Sequence, residues 1–358
     1  MRKIESSHNI YTSYLLRKWR NWQTHYLEVV TGKLVGVRVP PFANSLMWDS
    51  MKLLLASPRG FCAGVVRAID TVKRALELFG APIYVKHQIV HNRHVVEELE
   101  AKGAIFIEDL SEVPEGERVI YSAHGVSPEV RDQAKARRLI EIDATCGLVT
   151  RVHSAAKRYA TKGYHIILIG HRNHVEVIGT AGEAKDQTTV VESVEDVKKL
   201  SFPEGTKLFY LTQTTLSLDD VKLIRDALCE KYPHIETLPS SSICYATTNR
   251  QLALSQITGV ADLILVVGDP ASSNSNRLKE LAINRSVPAY LINKAADIDP
   301  KWLDKVKVVG LTAGASTPEY IVEDVISRLY ELGVTEREEV TYTTEDVFFQ
   351  LPKEVIKL

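Results

Sequence analysis

The sequence predicts an α/β protein: three small α/β units with mostly parallel sheets, set pseudo-three-fold around a central site. Two observations carry this. From Met51 onward, apolar strand-like runs alternate with segments of helical period, and such alternation implies parallel strands joined by helical crossovers. Three cysteines, Cys62, Cys146 and Cys244, each sit in a polar or glycine-bearing turn, and each gap between them can hold one small unit. The implied units are residues 51–146, 147–243 and 244–334, with an N-terminal extension at 1–50 and a tail at 335–358.

Composition narrows the classes. A chain of 358 residues can bury a large core. Its net charge of −1 offers no bulk attraction to nucleic acid or to an anionic membrane. No apolar run approaches the roughly 18 residues that suggest a membrane span. The four cysteines are too scattered for a disulfide framework and fit a reducing compartment, with cytoplasm the expected location.

Residues 1–50 differ from the rest. They are basic, hold Trp19, Trp22 and Trp48, and show no clean period. Three readings stay open: a targeting segment, an added element, or sequence upstream of a start at Met51.

In the first unit, Leu53–Ala56 is a short apolar strand. Val65, Ile69, Val72, Leu76 and Phe79 then recur at helical spacing up to Gly80. Residues 82–85 form the next strand, and a histidine-bearing loop at 87–94 leads into a helix from Val95. Strands follow at 104–107, 119–122 and 139–143, the last delivering Cys146. In the second unit a helix over 149–161 precedes the strand 165–169, a loop carrying His174 and Glu176, and strands at 189–191 and 207–211. Ser217 and Asp220 resemble a capping box for the helix that runs to Lys231. The third unit opens around Cys244, continues through the buried strand 263–267, and enters a helix from Arg277. Strand 306–311 comes next, with Thr317 and Pro318 read as N-cap and first residue of the last long helix.

Four groups of residues could carry chemistry. Cys62, Cys146 and Cys244 read as thiolates around one iron–sulfur cluster; three ligands would leave one iron of a [4Fe–4S] cluster open to substrate. The competing reading is three small buried hydrophobes. Zinc is disfavoured because no C-x₂-C pair occurs. Cys229, inside a helix beside Leu228, reads as structural. His91, His124 and His174 each follow a strand, so three imidazoles could donate to phosphate oxygens in one cavity, or each could merely fill a turn. His87, His94, His153 and His171 are secondary candidates. Thr214, Thr215, Ser272, Ser273, Asn274 and Ser316 lie between strands and helix starts, where free N–H groups favour anions; helix capping is the alternative for each. Glu176 shares a loop with His174 and would serve as a proton donor if buried, or stand as a solvated carboxylate if not.

These motifs together resemble a known family. Arg59–Gly64, His91-Asn92-Arg93, Ser122–Gly125, Asp143–Cys146, Thr212–Thr215, Ile243–Arg250, Ser272–Asn276 and Thr312–Ser316 look like 4-hydroxy-3-methylbut-2-enyl diphosphate reductase, in order and at compatible spacings from Met51 to about Pro352. The resemblance implies three α/β domains around a central cluster. It implies reductive removal of an allylic hydroxyl from a small diphosphate, the last step of the methylerythritol phosphate route, giving isopentenyl and dimethylallyl diphosphate. By motif position, Cys62, Cys146 and Cys244 would hold one [4Fe–4S] cluster with a non-cysteine-ligated iron, which would bind the substrate hydroxyl. His91, His124, Ser272, Ser273, Asn274 and Ser316 would hold the diphosphate, Thr214 and Thr215 would stand near the hydroxyl, His174 would line the pocket, and Glu176 would deliver protons. An external electron donor such as flavodoxin or ferredoxin would be needed. Three positions depart from the family pattern: Gly147 stands where proline is usual after the second cysteine, Val175 replaces the proline of His-Pro-Glu, and Ile178 replaces a frequent acidic residue. The apolar Val175 and Ile178 are expected to raise the pKa of Glu176 by desolvation. A non-catalytic iron–sulfur electron carrier or regulator is the alternative; it would leave the hydroxyl and histidine loops without a purpose.

Overall fold

The computed structural model describes residues 50–356. The readings for residues 1–49 lie outside the described residues.

β1 (Met51–Ser57) opens the described chain. β2 (Ile83–Lys86), β3 (Ala104–Ile107), β4 (Arg118–Tyr121) and β5 (Ile140–Asp143) form a four-stranded parallel sheet in the order β3-β2-β4-β5. β6 (His165–Ile169), β7 (Thr188–Val191), β8 (Leu208–Thr212) and β9 (Glu236–Thr237) form a second, ordered β7-β6-β8-β9. β10 (Leu263–Val267), β11 (Ala289–Ile292), β12 (Val308–Ala313) and β13 (Val334–Thr341) join β1 in a five-stranded sheet, β11-β10-β12-β1-β13, again parallel throughout. Three parallel-sheet α/β units are therefore present, as the alternation of periods predicts.

The unit boundaries need correction at both ends. The strand at Leu53 was assigned to the first unit, yet it pairs with β12 and β13 in the sheet of the third: Lys52 lies opposite Val308 and Leu53 opposite Arg337. The segment 335–341, read as tail, supplies most of an edge strand of that sheet. Burial explains why β1 takes this place. Leu53 and Leu55 enter one core and Leu54 and Ala56 the opposite one, so an unbroken apolar run is covered on both faces.

Several helix starts shift as well. Pro318, not Thr317, is the N-cap of the helix Glu319–Glu331, because the Thr317 hydroxyl donates inward to the Val267 carbonyl at 2.9 Å. The helix expected from Arg277 begins at Ser273, capped by Ser272, whose hydroxyl accepts from the Ser275 amide at 3.3 Å. Ser217 caps Leu218–Lys231 as predicted, accepting from the Asp220 amide. Cys229 is exposed on that helix and has no packing role. No helix among the described residues is long and apolar enough to cross a membrane.

Candidate active site

In parallel sheets ligands gather beyond the carboxyl ends of the strands. Here the loops leaving β1, β2, β4, β5, β6, β8, β10 and β12 line one cavity, and they bring to it Cys62, His91, His124, Cys146, His174, Thr214, Ser272 and Ser316 respectively. Glu176, Thr215, Ser273, Asn274 and Cys244 line the same cavity, so the primary candidates are brought together, while the secondary candidates His87, His94, His153 and His171 do not line it.

Each of the three cysteines is the N-cap of a helix: Cys62 of Ala63–Phe79, Cys146 of Gly147–Thr161 and Cys244 of Tyr245–Ile257. Three helix N-termini therefore face the sulfurs, and their free N–H groups and dipoles favour negative charge there. The Thr247 amide donates to Cys244 Sγ at 3.3 Å. The amides of Leu148 and Val149 donate to Cys146. Burial, with the neighbouring thiols adding to it, pushes the Cys146 thiol up to about 12 and the Cys244 thiol up to about 11. Sulfurs so buried become thiolates when a cation displaces their protons. Gly64 is required by the same arrangement, since a Cβ there would lie 2.5 Å from Cys146 Sγ and 3.9 Å from Cys62 Sγ.

The donor set also discriminates between metal groups. Among the described residues, the only His, Cys, Asp or Glu ligand atoms gathered within 4.8 Å of one another in a group of three belong to His87, His91 and His124. The three thiols ring the cavity without closing to that spacing. This is too open for a single ion and fits a multi-iron cluster.

The histidines form a packed group. The His91 and His124 rings stack at 4.2 Å, and His174 meets them edge-on at 5.5 and 5.9 Å. Burial, with mutual repulsion adding to it, lowers His91 to about 4 and His174 to about 3, and holds His124 well below the ordinary histidine value. All three are neutral near pH 7 and retain one N–H donor each. Ser316 Oγ donates to the His91 carbonyl at 2.9 Å, fixing that loop to the one after β12. Asn274 accepts from the Ala315 amide at 2.9 Å, and Thr215 Oγ1 donates to Ser273 Oγ at 3.1 Å. These groups surround the N-terminus of the helix Ser273–Asn284, which favours an anion.

Glu176 is not in a solvated loop. It stands in the first turn of the helix Val175–Gly182, capped by His174, and is 2% exposed. Burial raises its pKa, and two hydrogen bonds from Thr214 oppose the rise without cancelling it. Ile178 has no part in that burial, because it is 54% exposed.

Other contributors escaped the sequence reading. Arg250 is fully buried and donates to the Gly60 carbonyl at 3.1 and 2.8 Å and to Glu345 at 3.1 Å. It thereby ties the loop of Cys62, the helix of Cys244 and the C-terminal segment together. An arginine among the apolar positions of a helix was the available signal. Phe349 lines the cavity and lies over Gly147, whose missing Cβ would approach the ring to 3.3 Å. Glycine at 147 therefore makes room for an aromatic ring.

The model of the LytB protein family matches residues 53–330. The 4-hydroxy-3-methylbut-2-enyl diphosphate reductase of Protochlamydia amoebophila is 71% identical over 306 residues, covering 86% of this chain and 98% of that relative. The enzyme of the same name from Chlamydia pneumoniae is 62% identical, covering 85% and 98%. Among solved structures, the E-1-hydroxy-2-methyl-but-2-enyl-4-diphosphate reductase of Plasmodium falciparum superposes with a TM-score of 0.84 at 51% identity, covering 86% of this chain and 96% of that one.

Proposed function

The chain belongs to the LytB family of 4-hydroxy-3-methylbut-2-enyl diphosphate reductases, and from that membership we infer how its own residues divide the work. Its activity is the reductive dehydroxylation of 4-hydroxy-3-methylbut-2-enyl diphosphate to isopentenyl and dimethylallyl diphosphate, the last step of the methylerythritol phosphate route. It is an iron–sulfur oxidoreductase.

Cys62, Cys146 and Cys244 would hold one [4Fe–4S] cluster with a non-cysteine-ligated iron. The observation that carries this is the placement of all three thiols at helix N-caps around one cavity. When bound, such a cluster supplies electrons and a Lewis-acidic iron for the substrate hydroxyl. The diphosphate rests on neutral N–H donors of His91 and His124 and on Ser272, Ser273, Asn274 and Ser316 at the helix start. Thr214, Thr215 and His174 flank the reacting end.

Two electrons and two protons enter. The C–O bond breaks, one proton leaves with the hydroxyl as water, and the other ends on carbon. Glu176 is the proton donor. Its Oε1 accepts the Thr214 N–H and, in the carboxylate form, its Oε2 accepts the Thr214 hydroxyl; when Glu176 is protonated, Oε2–H donates to Thr214 Oγ1 instead and frees that hydroxyl to donate onward. The Thr214 hydroxyl can pass a proton from Oε2 towards the cavity. Electrons come from an external carrier of the flavodoxin or ferredoxin kind. The four cysteines are free thiols, which suits a cytoplasmic location.

The test is anaerobic purification, an iron and sulfide count per chain, and turnover with a reduced donor. Four irons per chain and formation of both isomeric diphosphates are expected. A full cluster lost in none of the three cysteine-to-serine variants would overturn the ligand set.

A further inference from the structure

The cavity assigned above to a diphosphate is lined by no lysine or arginine among the described residues. Its own histidines are neutral. A ligand with several negative charges is thus held by dipoles and uncharged donors alone, unless charge comes from behind the lining.

One imidazole stands there. His87 follows β2 in left-handed backbone, with φ of 61°, a conformation uncommon outside glycine. That backbone aims its ring at the histidine group, 5.4 Å from His91 and 6.0 Å from His124 between centroids. One ring nitrogen from each of the three lies within 4.8 Å of the others. His87 Nδ1 is 2.8 Å from Glu108 Oε1, whereas its Nε2 is buried with no hydrogen-bond partner. Among the four packed imidazoles, only this ring has a carboxylate against it; His91, His124 and His174 have other imidazoles as their close ring neighbours. Lys86 sits on the far side of the same carboxylate, 3.6 Å from Glu108 Oε2, and donates to the Glu108 carbonyl at 2.7 Å.

We propose that His87, aligned by Glu108, is a positioning residue of the diphosphate site: set between the Glu108 carboxylate and the rings of His91 and His124, it takes up a proton when the anion binds and so supplies the positive charge that the lining lacks. The inference rests on the diphosphate reading of the cavity. With Nδ1–H given to Glu108, a proton on Nε2 points into the histidine group and nowhere else. The charged and titratable groups facing His87 are Glu108 and Lys86 from the sheet edge, and His91, His124 and His174 across the cavity, with Asp269 acting on His91 from the loop after β10. Diphosphate adds negative charge to this set, so its binding should be accompanied by proton uptake.

The experiment is calorimetric titration of the anaerobic, cluster-loaded protein with inorganic diphosphate, in two buffers of different ionisation enthalpy. The variants are His87→Asn, Glu108→Gln and His91→Asn. Asparagine tolerates the left-handed backbone at position 87, and Glu108 is an exposed side chain, so both folds should survive; iron content checks this. Wild-type protein is expected to take up protons on binding. His87→Asn and Glu108→Gln should each weaken diphosphate about tenfold, as for a lost interaction with a charged group, and reduce proton uptake. Unchanged affinity and uptake in His87→Asn, with His91→Asn impaired, would overturn the role of His87 and leave the pocket standing. Unchanged binding in both histidine variants would overturn the pocket and the role together. Weakening in His87→Asn with Glu108→Gln fully normal would reduce His87 to packing and overturn the proposal.

Discussion

Thr214 holds both oxygens of Glu176: its amide donates to Oε1 at 2.6 Å and its hydroxyl donates to Oε2 at 2.9 Å. A buried carboxyl gripped by one residue at both ends is fixed in orientation, while burial keeps its proton affinity high. Glu176→Gln preserves this shape and removes the acidic proton. It should assemble the cluster and bind substrate, yet lose at least about a hundredfold in turnover. Near-normal turnover with saturating reductant would assign the proton to another group.

Replacing Cys62, Cys146 or Cys244 by serine should deplete iron and bleach the visible absorbance. Cys229→Ser should retain both, because that thiol is exposed on the helix Leu218–Lys231 and does not line the cavity. Iron analysis and an absorbance spectrum decide the matter.

Substrate affinity should fall in His91→Asn and Asn274→Ala with the cluster spectrum unchanged. Loss of one donor to a charged group costs about 1.5–3 kcal/mol, roughly tenfold to a hundredfold in binding. Ser272→Ala should lose affinity and also stability, by about 1 kcal/mol, since it removes an N-cap as well as a donor. Unaltered affinity in all three would place the anion elsewhere.

The histidine group sets an acid limit on the fold. His91 has a folded value of about 4, below the ordinary 6.5, so the unfolded chain binds its proton first as pH falls. Its stabilising contribution is complete above about pH 6.5 and is lost as pH falls towards 4, on the order of 3 kcal/mol in total. His124 and His174 are lowered in the same direction and add to the slope. Denaturant unfolding at a series of pH values should show this fall, and it should be shallower in His91→Asn. Equal slopes would contradict the burial of an uncharged ring.

A chain beginning at Met51 should fold and turn over as the full chain does. The family model starts at residue 53, and β1 supplies the first paired strand of the described residues. Loss of soluble, active protein on removing residues 1–50 would refute this.

The site was legible because chemistry left unusual residues at strand ends: a cysteine between glycines, histidines after apolar runs, and a Ser-Ser-Asn before a helix. The sheet partners were not legible. Nothing local in Leu53–Ala56 says that its neighbours are Val309–Leu311 and Arg337–Val340; only two-sided burial in the folded protein decides it. β11 escaped for a different reason, being four residues after Pro288 on a sheet edge, too short for a clear period. Glu176 was singled out as the candidate acid and misplaced as a loop residue, because the helix it enters starts at Val175 without a strong sequence cap. His87 was ranked low since its pairing with Glu108 bridges two strands that only the sheet brings together.

The seat of β1 between β12 and β13 has a bearing on how this protein is made. Met51–Ser57 emerges before the other described strands, but the strands that flank it are among the last to be synthesised. Until Val334–Thr341 has left the ribosome, the strand that leads to Cys62 has no complete sheet to sit in, and that thiol is tethered rather than placed. Cys146, in the loop after β5, reaches its helix cap earlier, whereas the helix capped by Cys244, in the loop after β9, packs on the third sheet and is tied to Glu345 through Arg250. If these thiols hold the cluster, iron loading is expected only of the released, full-length polypeptide. A ribosome-stalled chain ending before residue 334 would present one ordered thiol and two stray ones, and should fail to retain a cluster.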